Sequence, residues 1–137
     1  MKKYLILFAL SGLISCEKEA KEDSIPLNVS KIIGSWQLVE AYISPGGAAT
    51  WQPVEDGDIY NFGIDGTFSQ VNTYEDAHNR SGNFTYENKM LKLTFITDGE
   101  EKWQSFSVEM VENSMNISPT GPTICIEGCI YRYQKIK

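Results

Sequence analysis

Short turn signals cut most of this chain into runs that alternate apolar and polar residues. Asp65-Gly66 and Asp98-Gly99 are hairpin dipeptides, because the central residues of a tight two-residue turn need positive φ. Asn88-Lys89 turns the chain between two further runs. In residues 90–97, Leu91, Leu93 and Phe95 alternate with Lys92 and Thr94. Phe106, Val108 and Met110 share one phase of 102–111, and Tyr60, Phe62 and Ile64 share one phase of 58–64. A period of two places such residues on one face of a strand. Strands are therefore expected at 35–44, 58–64, 67–73, 83–87, 90–97, 102–111, 114–118 and 129–136. Residues 27–33 form a short N-terminal helical turn ended by Gly34, 75–82 a polar loop, and 119–122 an interruption. Consecutive hairpins favour an antiparallel meander. An all-β, up-and-down, eight-stranded barrel would remove the open edges of that meander. A two-sheet sandwich is the alternative.

The first residues have a different character. Lys2 and Lys3 precede an apolar run at 4–14, which ends in Leu13-Ile14-Ser15-Cys16. The run is too short to span a bilayer and has the layout of a bacterial lipoprotein signal. Three segments are expected: a signal peptide at 1–15, a lipidated flexible tether at 16–25, and one folded domain at 26–137. A palmitate-type acylated Cys16 would hold the protein to the membrane, since two or more chains anchor firmly. Glu17-Lys18-Glu19-Ala20-Lys21-Glu22-Asp23-Ser24 has too little apolar surface to offset ordering entropy. The expected location is the outer membrane of the cell envelope, on its periplasmic or its outer surface. The whole chain carries a net charge of −6, and loss of Lys2 and Lys3 makes it more acidic. An acidic surface argues against nucleic acid as a partner.

With Cys16 spent on lipid, Cys125 and Cys129 remain in a compartment that permits disulfides. On a straight strand they would stand too far apart to bond, so the chain must turn between them. Ile126-Glu127-Gly128 offers a three-residue loop with glycine last, where an αL residue is wanted. A disulfide is the favoured reading, with a free pair or a metal pair as alternatives. No catalytic constellation is visible, and neither an enzyme, a cofactor nor a metal is expected. His78 is the lone histidine, and it sits in a polar loop. Glu55-Asp56-Gly57-Asp58 lacks the spacing of a calcium loop and reads as an acidic turn. The aromatic residues are the remaining site candidates: Tyr42, Trp51, Tyr60, Phe68, Tyr74, Tyr86 and Trp103. Trp51 lies in a loop flanked by Pro and Gly, where it would lid a barrel mouth.

Ile33-Gly34-Ser35-Trp36-Gln37-Leu38-Val39-Glu40 resembles the opening of a lipocalin-like domain. Trp51-Gln52-Pro53-Val54, Phe62-Gly63-Ile64-Asp65-Gly66-Thr67-Phe68 and the ending at 125–133 extend the resemblance, which is to the small lipocalin-like lipoproteins of the Bacteroidetes. It implies that Gly34 and Trp36 form the barrel floor. It also implies that a basic residue of the last strand packs over Trp36, with Arg132 as the candidate. Acidic residues close behind the lipidated cysteine resemble the export signal of surface lipoproteins of that group. A plain linker is an equal reading. The chain is shorter than lipocalins and lacks their later motifs, so the resemblance does not carry a cavity over. The function expected is a membrane-anchored module that binds a small hydrophobic ligand or a partner at the cell envelope. The alternatives are a structural or accessory envelope subunit without a ligand, or an inhibitor or immunity-type protein acting through its loops.

Overall fold

A computed structural model describes residues 26–44, 46–73 and 78–137. The expected signal at 1–15, the expected tether at 16–25 with Cys16, and Tyr74 lie outside them. The described chain begins with one turn of helix, α1 (Leu27–Ser30). The Pro26 carbonyl accepts hydrogen bonds from Val29 N and Ser30 N at 2.8 and 3.1 Å. So short a helix has little stability of its own. It is held by packing: Val29 and Ile33 lie against the core, and Ile32 is fully buried.

Nine strands follow: β1 (Gly34–Ile43), β2 (Thr50–Pro53), β3 (Ile59–Phe62), β4 (Thr67–Val71), β5 (Arg80–Glu87), β6 (Met90–Thr97), β7 (Glu100–Val111), β8 (Ser114–Gly121) and β9 (Ile130–Lys135). From β3 onward each pairs antiparallel with the next, and β9 returns to β1. The other edge of β1 is shared. Its first half pairs with β3 and its second half with β2. These two strands are therefore halves of one wall strand, broken at 54–58, and the result is a closed eight-stranded antiparallel barrel.

Residues 50–53 thus form a strand where a loop is expected. Nothing in their pattern announces it, since none of the four is buried. Their order comes from pairing with β1, in which Tyr42 faces Trp51. β1 also spans the break: Leu38 N donates to Asp58 O at 3.0 Å and Val54 N to Val39 O at 2.8 Å. Gly57 passes so close to the Leu38 carbonyl that a side chain there would strike backbone. Gly34 has φ +124°, a conformation glycine adopts without penalty, and lies against the Lys137 carbonyl.

Two of the turn signals have the expected geometry. Asn88 and Lys89 have φ of 50° and 62°, and Asp98 and Gly99 have 54° and 76°. At Asp65-Gly66 the turn is wider. The Asp65 carboxylate accepts from Thr67 N at 3.1 Å and Thr67 Oγ1 at 2.6 Å. Ile64 belongs to this turn and is 72% exposed, so it does not share the inward face of Tyr60 and Phe62. β5 begins three residues earlier than expected. β8 runs on through Pro119, which sits opposite Phe106 beside a bulge in the ladder. Proline is tolerated at a bulge because no ladder donor is required there.

Inside the barrel, Trp36, Phe62, Phe68, Phe84, Tyr86, Leu91, Leu93, Phe106, Val108, Met115 and Ile117 form one core. Aromatic rings fill much of it, with Tyr60 stacked on Phe62 at 5.6 Å and Phe62 edge-on to Phe84 at 5.0 Å. Among the described residues, no helix is long and apolar enough to cross a membrane.

Candidate functional site

The floor is built around Trp36, which is 1% exposed. Its indole N–H donates to the Ile32 carbonyl at 2.8 Å, so the strand's first large side chain ties down the helical turn before it. Lys135 Nζ lies 5.2 Å from the ring centroid. The expectation that Arg132 packs there is corrected. Lys135 is the register partner of Trp36, and side chains alternate faces along a strand. Lys135 therefore shares the inward face with Tyr133, whereas Arg132 points outward. There Arg132 pairs with Glu40, donates to Asn116 Oδ1 at 3.2 Å, and covers the Trp51 ring at 3.9 Å.

Above the floor, the interior holds a group of polar side chains whose meeting the sequence pattern does not reveal. Asp58 ends the break at 54–58, Tyr60 is on β3, Gln70 on β4 and Tyr133 on β9. All four are buried. Gln70 Nε2 donates to Asp58 Oδ2 at 2.7 Å, and the Tyr133 hydroxyl lies 3.2 Å from both carboxylate oxygens. Burial, with the neighbouring Asp58 charge, holds the Tyr60 phenol above its ordinary value. Burial, then Tyr60 and Asp58, does the same for Tyr133. Both phenols therefore remain protonated, and Tyr133 stays a donor to Asp58. Gln70 Oε1 is buried and has no hydrogen-bond partner among the described residues.

From Gln70 the register leads to Arg80, at the end of β5 opposite Tyr86, whose carbonyl accepts from Asn28 of α1. On the inward side of β5, Arg80 is the register partner of Gln70 and lies over the Phe95 ring at 5.1 Å. Beside it opens a cleft of about 470 Å³, lined by Asn72, His78, Arg80, Phe95 and Lys102 among others. The loop at its rim is braced by Asn72, whose N donates to Asn79 Oδ1 at 2.8 Å and whose Nδ2 donates to the His78 carbonyl at 2.7 Å. His78 thus contributes a backbone acceptor. Among the described residues, no three His, Cys, Asp or Glu side chains gather as a metal site.

The aromatic candidates divide between two faces. Tyr60, Phe68 and Tyr86 are buried inside the barrel. Tyr42 and Trp51 pair on the outer wall at 5.4 Å, beside Arg132, so Trp51 is not a lid. Trp103 is 45% exposed on the outside, with Lys92 Nζ 5.1 Å from its ring. Trp103 stands out of phase with Phe106 and Val108, whereas Tyr42 is in step with Trp36 and is turned outward, with its partner Trp51, by the bulge between Leu38 and Glu40. Phase also held the missed signals. Asp58 is in step with Tyr60, and Gln70 with Phe68, so both side chains were due inside. Cys125 and Cys129 are bonded, with Cα atoms 5.6 Å apart. Gly128, at φ +72°, makes the turn between them.

A closed barrel with a helical turn and a tryptophan at its floor defines a lipocalin-like architecture, and sequence comparison agrees. The model of the lipocalin-like domain family matches residues 32–117, and the chain belongs to that family. Two solved structures share the fold. One is a lipocalin-like protein from Bacteroides uniformis ATCC 8492, with a TM-score of 0.54 and 18% identity over 77% of this chain and 99% of that one. The other is an uncharacterized protein from Bacteroides eggerthii DSM 20697, with a TM-score of 0.50 and 19% identity over 75% of this chain and 98% of that one. Among curated proteins, none matches.

Proposed function

We propose that this protein is a membrane-tethered binding module that takes a small, largely apolar molecule through the open end of its barrel. The cleft beside Arg80 and Phe95 carries this reading. Phe95 both lines it and belongs to the aromatic core, and polar side chains stand around it, the mixed composition usual in a small-molecule site. Eight-stranded barrels have room for side chains or for one small ligand. The residues at the mouth offer shape and hydrogen bonds rather than a nucleophile with its base, which fits binding better than catalysis.

The tether belongs to the same proposal. The signal-like residues at 1–15 and the cysteine after them support a reading in which Cys16 carries lipid and the domain is held at the outer membrane. Cys16→Ser should move the protein from the membrane fraction to the soluble one. Retention on the membrane would sink the anchor.

Native mass spectrometry of the purified protein tests the binding reading, with tryptophan and tyrosine fluorescence as a second readout. The expected result is a bound small molecule, or saturable binding from a lipid extract. Absence of both would favour a loop-mediated protein contact. One observation supports that second reading: Ile126, inside the loop closed by Cys125 and Cys129, and Ile124, just before it, are 93% and 60% exposed.

A further inference from the structure

The cleft at the mouth carries positive charge in a chain whose net charge is −6. Arg80 and Lys102 line it from β5 and β7, the strands on either side of β6. Both stand in the inward phase. Arg80 is in step with Phe84 and Tyr86, and Lys102 is the register partner of Phe95. Alternation would continue the apolar core at these positions, and two cations end it instead. Among the described residues neither cation is paired: the ion pair is Arg132 with Glu40 on the outer wall, and no carboxylate lines the cleft. Glu100 stands opposite Thr97 at the end of the β6–β7 ladder and is not part of the lining. Arg80 rests on the Phe95 ring, with its guanidinium carbon 5.1 Å from the centroid. That contact orients a long side chain and consumes none of its five N–H donors. Asn79 lines the same cleft. Its Oδ1 accepts from Asn72 N, so its Nδ2 is the end left free among the described residues.

We propose that this cleft binds an amphiphile by its anionic head, a carboxylate or a phosphate held between Arg80 and Lys102, with the apolar part against Phe95 and Ile96. The inference rests on reading the barrel mouth as a small-molecule site and names the class of molecule it takes. An anion entering the cleft meets two unlike partners. The planar fork of Arg80 matches paired oxygens of a carboxylate or a phosphate, and Lys102 adds a point charge. Both side chains are exposed, and in open water such attraction is weak. Phe95 is only 8% exposed, and beside a buried ring water is partly displaced and charges interact more strongly. An ammonium head meets two like charges in the same space. An alcohol meets neither the repulsion nor the charge-assisted bonds, and ranks between the two. A cleft of about 470 Å³ has room for a head and a short chain.

Four probes with the same chain test this: octanoate, octyl phosphate, 1-octanol and octylamine, titrated into the purified protein by calorimetry at low and at moderate salt. Both anions should bind at least about tenfold more tightly than 1-octanol, and octylamine should bind most weakly. Added salt should weaken the anions and spare the alcohol. In Arg80→Gln the anions should weaken by about tenfold, with 1-octanol unchanged. Lys102→Gln should act in the same direction, so it stands in if the first variant does not fold. Acetate and inorganic phosphate carry the head without the chain and should bind far more weakly than octanoate and octyl phosphate. Anion binding unmoved in the folded variants overturns the inference, and so does inorganic phosphate binding as tightly as octyl phosphate. Equal binding of the anions and the alcohol overturns it while the binder reading survives. Failure of all four chained probes to bind overturns both.

Discussion

Trp36 performs two functions at once, filling the floor and holding the helical turn by its N–H. Trp36→Phe keeps an aromatic ring but leaves the Ile32 carbonyl without its donor and a void beside it. The expected loss is about 2–3 kcal/mol of unfolding free energy, measured in urea. Tyr60 and Tyr133 give the protein an alkaline limit. Their phenols titrate above the ordinary value of 10.0 in the folded state, mainly through burial. The unfolded chain releases those protons first, so their contribution is complete below pH 10 and falls as pH rises towards the folded values. Each group should add a slope of about 1.4 kcal/mol per pH unit above that point. Tyr133→Phe should flatten the decline in urea midpoint between pH 9.5 and 11.5 by one proton's worth. A slope unchanged by that substitution would contradict the assignment. At this scale, Trp36 is legible because glycine two residues before a tryptophan marks the floor. Lys135 was within reach by counting in twos from Tyr133. Phase turns Asp58 and Gln70 inward, but the meeting of the Asp58 group was not legible. Its members lie 12 and 75 positions apart, and an acidic residue beside a turn looks solvated until the barrel closes around it.

The hairpins were readable at the level of elements because the turn dipeptides impose backbone angles that few other residues accept. The strand that eluded the pattern was β2, whose side chains carry no buried phase. It exists because β1 is longer than β3 and offers a free edge. Gly57 is what lets the two short strands share that edge, since its Cα lies tight against the Leu38 carbonyl. Gly57→Ala forces backbone apart at the break. It should cost about 2–3 kcal/mol, seen as a lower thermal midpoint. Asp58 is the next residue, so the variant should also loosen the grip on Gln70. Amide exchange should then quicken at Leu38 and Val54, whose N–H groups bridge the break. Exchange that quickens elsewhere and leaves those two protected would contradict the role given to Gly57.

For the whole molecule, alternation and turn spacing were enough to point to a meander, and edge protection was enough to favour a barrel over a sandwich. Closure itself had to come from pairing between β1 and β9, a contact no local pattern encodes. A chain cut after residue 129 keeps every hairpin before β9 yet leaves β1 and β8 with bare edges. It should lose cooperative melting altogether and aggregate, as judged by calorimetry and light scattering. Retention of a sharp transition would show that the sheet is stable without being sealed. The position of the seam also sets a clock. A chain delivered N-terminus first has its opening strand available early and its matching strand last, so the search that joins the ends cannot start until synthesis and delivery are nearly complete. Non-local pairing of this kind is slow. An anchor at the front of such a chain would hold an unfinished sheet at the membrane throughout that wait, and the time available to partners that guard exposed edges is set by the arrival of the last few residues.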